Sequence, residues 1–181
     1  ASLAFGRVQQ IVASVSNVIA RLDHSPLAVI RQGNGDDFSR RMKGFRHRFL
    51  DEDDLAGVLL GLKRVLDEHE SLEAAFAASL PPAVQDGMMI TREAVIEALG
   101  AFTAMIRIKP SYILPYPAKG SACKRLNLFL RWMVRCDCID PGGWSVIPAS
   151  ALIIPLDTHL FRVGHRLGFL QRRTADMKAA L

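Results

Sequence analysis

The stretch PYPAKGSACKRLNLFLRWMVR, residues 115–135, runs from a glycine-containing turn directly into a helical pattern. Apolar residues recur at helical spacing on one side of the predicted helix: Cys123, Leu126, Leu130 and Met133. Polar and basic residues recur on another side: Lys124, Asn127, Arg131 and Arg135. Because a helix N-terminus offers free N–H groups, this stretch predicts a phosphate site beside a basic stripe. A solvated charged face would have the same pattern.

A second segment, LDTHLFRVGHRLGF at residues 156–169, predicts another helix. Its apolar face, which we expect to be buried, consists of Leu160, Val163 and Leu167. Its polar face consists of His159, Arg162 and Arg166. Asp157 stands where a helix N-cap belongs, and capping is the ordinary role of an aspartate at that position.

Helical periodicity extends over the rest of the chain. It predicts one amphipathic helix from Val8 to Leu22, a second from Leu55 to Leu66 after the acidic residues 51–54, and a third from Val95 to Ile106. Thr91 is the expected cap of the third helix. Residues 33–37, 81–82 and 141–143 predict loops or turns. Alternating strand patterns are nearly absent, so the sequence predicts an all-α fold of about seven helices.

Charge is distributed unevenly along the chain. Counting Lys and Arg against Asp and Glu, residues 1–106 carry a net charge of −3 and residues 107–173 carry +8. In the basic stretch the only acidic residues are Asp137, Asp140 and Asp157. A basic segment beside an acidic one is typical of a surface that binds a polyanion. Selection for solubility would produce a similar distribution.

The cysteines and the apolar runs bear on whether the protein binds a metal or crosses a membrane. Cys123, Cys136 and Cys138 are interpreted as reduced, structural thiols. Cys-Asp-Cys is too short a spacing for paired zinc knuckles and no nearby His completes a ligand set, so we expect no metal and no cofactor. The longest apolar run, residues 146–156, is broken by two prolines and too short to cross a bilayer. We therefore predict a soluble, cytoplasmic protein with no membrane partner.

Two motifs resemble the helix-hairpin-helix (HhH-GPD) DNA glycosylases. Leu-Asp-Thr-His-Leu-Phe-Arg-Val at 156–163, followed by Arg-Leu-Gly, is similar to the stretch around their catalytic aspartate. Gly-Ser-Ala-Cys-Lys-Arg-Leu-Asn at 120–127 is similar to their hairpin, in which Gly-Val-Gly-Arg precedes the catalytic Lys and an Asn follows three residues later. The two motifs in the right order are more specific than either alone, and the resemblance covers residues 112–170.

The whole chain is also similar to a bacterial branch of this superfamily that resembles the archaeal 8-oxoguanine DNA glycosylases. The gap of 33 residues between Lys124 and Asp157 is longer than in the endonuclease III branch. The resemblance implies a two-lobed helical fold in which residues 1–181 form a single glycosylase-like unit, with a helix-hairpin-helix element at 112–135 and a catalytic-Asp helix at 156–170. Because the chain starts and stops inside helical patterns, we expect a fragment that lacks both natural ends.

The resemblance also assigns roles to residues. Lys124 takes the place of the nucleophile that attacks C1′ and forms a Schiff base, and Asp157 that of the carboxylate that stabilises positive charge on the sugar. The attacking amine must be neutral, which burial or the neighbouring cations Lys119 and Arg125 would favour. The implied DNA contacts are Lys119, Gly120, Ser121, Arg125, Asn127, Thr158 and His159.

The expected function is therefore that of a base-excision-repair DNA glycosylase with AP lyase activity. Its partner would be double-stranded DNA with a damaged base, with oxidised purines such as 8-oxoguanine as first candidates, and we expect a monomer in the nucleoid. Ala122 replaces the second hairpin glycine, so we expect an altered phosphate turn and an altered site for any cation held by its carbonyls. The four-cysteine iron–sulfur loop of some relatives is not seen.

Other roles fit parts of the sequence. A non-catalytic DNA-binding or lesion-sensing protein would keep the fold without turnover, and a helical interaction module would use the basic stripe to bind an acidic protein. Aromatic residues are candidate platforms for stacking bases: Tyr112, Tyr116, Trp132 and Trp144. Trp132 is expected in the core because it lies in the predicted helix beside Met133.

Overall fold

The computed structural model describes residues 1–117 and 120–181. Ten α-helices lie in these residues: α1 (Val8–Arg21), α2 (Pro26–Gln32), α3 (Gly35–Met42), α4 (Glu52–Glu68), α5 (Leu72–Ala78), α6 (Pro82–Gln85), α7 (Arg92–Ile106), α8 (Lys124–Val134), α9 (Thr158–Arg166) and α10 (Met177–Ala180). Within this part of the chain, β pairing is limited to isolated bridges, between residues 47 and 50, 121 and 176, and 136 and 141. The mostly helical structure confirms the all-α prediction, and the HhH-GPD arrangement stays a prediction.

The three amphipathic helices predicted from periodicity are α1, α4 and α7, and α4 and α7 begin with the hydrogen bonds that their sequences indicate. The Asp54 N–H donates to the Asp51 carboxylate at 3.0 Å, and the Asp51 N–H donates back to Asp54. Likewise the Ala94 N–H donates to the Thr91 hydroxyl at 3.2 Å. The reciprocal cap of α4 and the single cap of α7 satisfy N–H groups that have no partner inside a helix.

Several short helices were not predicted. Residues 33–37 were expected to form a loop, but α3 begins at Gly35 and the Asn34 side chain accepts the Asp37 N–H at 3.0 Å. The expected loop at 81–82 is the start of α6, with Pro82 in its first turn. A helix of one or two turns shows too little of the 3.6-residue period to be recognised, and tertiary packing stabilises it. At the predicted sharp turn, residues 141–143, the structure has no helix, and Gly142 and Gly143 both have positive φ.

The described chain divides into two compact units. The first comprises Ala1, Phe76–Phe102 and Pro115–Leu181, and the second comprises Ser2–Ala75 and Thr103–Leu114. The interpretation of residues 1–181 as one glycosylase-like unit stays a prediction.

In the first unit the core contains a cluster of aromatic rings. Phe76 and Phe102 meet edge to face at 5.7 Å between ring centroids, and Trp144 meets Phe129 edge to face at 5.3 Å. Phe76 and Trp144 also lie 5.7 Å apart. Edge-to-face pairs add to the stability gained by burying the rings. This packing accounts for the ring of Trp144 without a stacked base.

In the second unit α4 packs closely against the end of α7. A Cβ added to Gly61 would lie 1.7 Å from the carbonyl oxygen of Ile106. Only a residue without a side chain fits at this point, because backbone meets backbone there. The Ser111 hydroxyl donates to the Asp54 carboxylate at 2.5 Å, which ties the chain after α7 to the start of α4.

The predicted burial of the apolar face of α9 is wrong. Leu160, Val163 and Leu167 are exposed in the structure. Of this helix only Gly164 is buried, and Leu170 lies against it, 2.7 Å from the position that a Cβ would occupy. Helical periodicity indicates which residues share a face, but it does not show what covers that face.

Among the helices that the structure describes, none combines the length and the apolar character needed to cross a membrane.

Candidate active site

A tight turn positions Lys124 as the first residue of α8. Gly120 adopts a φ of +76° and its N–H donates to the Pro117 carbonyl at 2.9 Å. The Cys123 N–H donates to the Ser121 hydroxyl at 3.3 Å, and Cys123 itself has a left-handed φ of 45°. A left-handed φ is uncommon outside glycine, and here it occurs directly before the first residue of α8. The helix therefore starts abruptly, with the Lys124 side chain in its first turn.

The side chains of Lys124 and Asp157 contact each other in the first compact unit. The Lys124 Nζ donates to Asp157 Oδ2 at 3.0 Å. Asp157 Oδ1 accepts the Leu160 N–H at 2.8 Å, so this residue is also the N-cap of α9 that its position predicted. The side chains remain 41% and 35% exposed, respectively. Both groups are thus held in a fixed geometry and stay accessible from solvent.

The environment of Asp157 favours its ionised form. The Leu160 N–H makes the largest contribution to lowering the pKa of this carboxyl, and the hydrogen bond from Lys124 is the next. Hydrogen bonds donated to a carboxylate stabilise its charged state. At neutral pH a negative charge therefore lies beside the Lys124 amine, at the positive end of α9.

Asn127 has a structural position. Its side chain is buried, and its Nδ2 donates at 2.9 Å to the carbonyl of Ala122, which lies in the turn before α8. Its Oδ1 is buried without a hydrogen-bond partner among the described residues. A buried side chain does not reach DNA, so the contribution of Asn127 to a site is to hold the turn before Lys124.

The remaining predicted contacts fall in different settings. Lys119 lies outside the described residues. Gly120, Ser121, Thr158 and His159 are exposed, and they lie within a few positions of Lys124 or Asp157 along the chain. Arg125 is partly buried, and burial lowers the pKa of its guanidinium. A phosphate could therefore reach the backbone or side chains of the four exposed residues, Gly120, Ser121, Thr158 and His159.

The basic stripe predicted along α8 is divided by ion pairs. Arg131 Nε binds Asp140 Oδ2 at 2.8 Å, and Arg135 Nε approaches the same oxygen at 3.5 Å. The Asp140 carboxylate is fully buried. Two of the four polar positions thus neutralise a carboxylate from the following loop, because a buried charge requires a partner. Spacing along a helix did not reveal this pairing.

A segment that the sequence did not single out holds the turn from the other side. The Met177 N–H donates to the Gly120 carbonyl at 3.1 Å, and residues 121 and 176 form a bridge. Asp176 caps α10 and accepts two hydrogen bonds from Arg172, at 3.0 and 2.6 Å. The carbonyls of Gly120 and Ala122 therefore already accept hydrogen bonds from the chain itself. The only sequence signal was Asp176 as a possible cap, more than fifty positions away from Gly120.

The loop after α8 predicts a stability change in acid. Asp137 accepts the N–H groups of Asp140 and Ile139, which with the charge of Arg135 lower the pKa of its carboxyl to about 2. Because this pKa lies below the unfolded value of about 3.9, the stabilisation is complete above that value and is lost as the pH falls through 2. We expect the difference in unfolding midpoint between wild type and Asp137→Asn to shrink from pH 7 to pH 2. Thermal unfolding at a series of pH values measures it, and a constant difference would contradict the assignment.

The three cysteines, which we predicted to be reduced structural thiols, are free and differ in burial. Cys123 is buried, and burial raises the pKa of its thiol, but Cys136 and Cys138 are exposed. Among residues 1–117 and 120–181, no group of three or more His, Cys, Asp or Glu side chains has the geometry to hold a metal ion.

Comparison with known proteins gives one result. The model of a family described as Protein of unknown function (DUF2400) matches residues 1–181. Searches of curated proteins and of solved structures found no match to this chain.

Proposed function

We propose that this chain, which belongs to the family described as Protein of unknown function (DUF2400), is a DNA glycosylase with AP lyase activity. The observation that carries the proposal is the contact of 3.0 Å between Lys124 Nζ and Asp157 Oδ2. Two residues that stand 33 positions apart, and that resemble a nucleophile and its carboxylate, lie together in the described structure. Side chains on opposite faces of the unit would have contradicted the pairing.

The proposed reaction begins when a damaged nucleotide leaves the base stack. As the bond between the base and C1′ breaks, the departing base takes the electron pair and positive charge develops on the sugar. The Asp157 carboxylate stays ionised and stabilises that charge, while the Lys124 ammonium gives a proton to the departing base and becomes a neutral amine. The amine forms a bond to C1′, and as the bond between C1′ and the ring oxygen breaks, a proton moves from the nitrogen to that oxygen and a Schiff base results. Loss of a C2′ proton to water then expels the 3′ phosphate, which cleaves the strand.

The position of Asp157 supports this role. Its two carboxylate oxygens have separate partners, since Oδ1 accepts the Leu160 N–H and Oδ2 accepts the Lys124 ammonium. The helix cap fixes the carboxylate group, so its second oxygen is oriented toward the amine without further ordering. Such preorganisation lowers the cost of stabilising charge in a transition state.

Trapping with borohydride tests the proposal. Reduction of a Schiff base links the enzyme covalently to DNA, and the probes are duplexes that contain 8-oxoguanine or an abasic site. We expect a protein–DNA adduct with wild-type protein on at least the abasic duplex. The absence of an adduct on both duplexes would reject Lys124 as a nucleophile.

A non-catalytic DNA-binding or lesion-sensing protein remains the second proposal. The observation that favours it is the occupation of the Gly120 and Ala122 carbonyls by Met177 and Asn127, which differs from an open hairpin. Salt-dependent affinity for damaged duplexes without adduct or cleaved product would support binding alone.

A further inference from the structure

A short turn in the second unit presents an arginine and an aromatic ring at its tip. The backbone N–H and carbonyl groups of His47 and Leu50 bind each other, both at 3.0 Å, so Arg48 and Phe49 form a two-residue turn. Arg48 has a φ of 58°, a strained conformation for a residue with a side chain. Such strain persists where the surroundings hold the backbone firmly, and it is often found at binding sites.

The base of the turn is anchored in the unit. His47 is buried, and its ring nitrogens lie 2.8 Å from the Ser14 hydroxyl and 3.1 Å from the Phe5 carbonyl. Leu50 is also buried. The tip is therefore a rigid feature whose two central residues lie outside the core.

Three aromatic rings form a row at this tip. Phe5 stacks on Phe49 at 5.1 Å between centroids and 25° between planes, and Tyr112 meets Phe49 edge to face at 5.3 Å. Phe49 is 59% exposed and Tyr112 is 75% exposed. Exposed rings held by other rings lose little conformational freedom on binding, which favours them as stacking surfaces.

Cations accompany the rings. The Arg48 guanidinium lies 6.0 Å from the centroid of the Phe5 ring. Two further exposed cations lie close in sequence to the tip, since Arg46 stands two residues before Arg48 and Lys109 stands three residues before Tyr112. The carboxylates of Asp51 and Asp54 face the start of α4, where they accept backbone hydrogen bonds.

We propose that Phe49, Tyr112 and Arg48 form a stacking surface for unstacked bases of single-stranded DNA. Every nucleobase offers a flat face to an aromatic ring, and cations around the rings attract the phosphates between bases. A purely apolar protein partner would gain nothing from the arginines and the lysine. The inference does not depend on the chemistry proposed for Lys124.

Fluorescence of a single-stranded oligonucleotide that contains 2-aminopurine tests the surface with the full chain. We expect wild-type protein to quench the fluorescence, because stacking quenches 2-aminopurine. Phe49→Ala and Tyr112→Ala should each raise the dissociation constant by roughly tenfold and reduce the quenching. Phe49→Trp and Tyr112→Phe keep a ring and should bind like wild type. Leu27→Ala is the matched control, since Leu27 is 56% exposed in the same unit.

The salt dependence of binding tests the contribution of the Arg48 charge. Arg48→Gln should reduce the slope of the logarithm of affinity against the logarithm of salt concentration by about 0.7, the value expected for one phosphate contact on a single strand. If Phe49→Ala fails to fold, the comparison of Tyr112→Ala with Tyr112→Phe tests the surface alone, because Tyr112 is exposed.

The stacking surface would be contradicted if wild-type protein did not quench the fluorescence, or if Phe49→Ala and Tyr112→Ala bound the oligonucleotide as tightly as wild type. It would also be contradicted if these two variants lost self-association and kept DNA binding. Ring-dependent quenching without a borohydride adduct would reject only the proposed chemistry. An adduct with ring-independent binding would reject only the stacking surface.

Discussion

Lys124→Ala should reduce the borohydride-trapped adduct on an abasic duplex to the background level. The adduct requires an amine that forms a bond to C1′, and the structure places this amine 3.0 Å from the Asp157 carboxylate. No hydrocarbon side chain can replace a nucleophile. Denaturing electrophoresis of the labelled DNA measures the yield of the adduct.

A second lysine provides the matched control. Lys178 is exposed in the same unit, in the first turn of α10. Lys178→Ala should give the same adduct as wild type, because the change removes one positive charge without removing the proposed nucleophile. Equal yields from Lys124→Ala and wild type would show that another amine reacts.

Asp157→Asn separates the cap from the chemistry. Asn caps helices about as well as Asp, so the hydrogen bond from the Leu160 N–H is expected to remain. The ion pair with Lys124 is half exposed and contributes at most about 1 kcal/mol to stability. Activity, however, should fall by about 10²- to 10³-fold, because the charge that stabilises the transition state is lost.

Asp157→Ala completes the comparison. It removes the cap as well as the charge, and it should cost about 1 kcal/mol more in the free energy of unfolding than Asp157→Asn. Full activity in Asp157→Asn, with stability lost only in Asp157→Ala, would mean that the residue is a helix cap and nothing else.

Gly61→Ala should destabilise the protein by about 3 kcal/mol or more. The new methyl group would lie 1.7 Å from the Ile106 carbonyl oxygen and 2.6 Å from its carbon. These atoms belong to backbone and cannot rotate away, so α4 and the end of α7 must separate and lose their packing. For a chain of this size we expect the unfolding midpoint to fall by about 6–12 °C.

Gly57→Ala is the control for this substitution. Gly57 lies one turn earlier in α4, and nothing lies within 4 Å of the position that its Cβ would occupy. Because alanine favours helices over glycine, this change should raise stability by up to about 1 kcal/mol. Urea denaturation measures both variants, and a Gly61→Ala variant as stable as wild type would show that α4 and α7 do not approach as closely as the structure has them.

The long helices were predictable because their signals are local. The start of α4 illustrates the point, since Asp51 and Asp54 bind each other's backbone and need nothing else from the fold. The helices of four to eight residues were missed, because their stability comes from contacts that are distant in sequence.

The candidate site was predictable in part. The motifs identified Lys124 and Asp157, and the position of Asp157 also indicated its role as a cap. The partners of Arg131 and Arg135 were not predictable, since helical spacing placed both arginines on an open basic face and the loop that holds Asp140 folds back to neutralise them. The same limit explains α9, where the period showed an apolar face that the structure leaves exposed.

The sequence by itself determined the helical class, the three long amphipathic helices and the two residues that resemble a catalytic pair. It did so because periodicity, caps and motifs are properties of neighbouring residues. The tertiary structure alone decided that the Lys124 amine meets Asp157, that the Gly120 carbonyl is occupied by Met177, and that Arg48, Phe49 and Tyr112 share one surface. Contacts between distant segments follow from how the chain packs its apolar surface, and no local pattern encodes them.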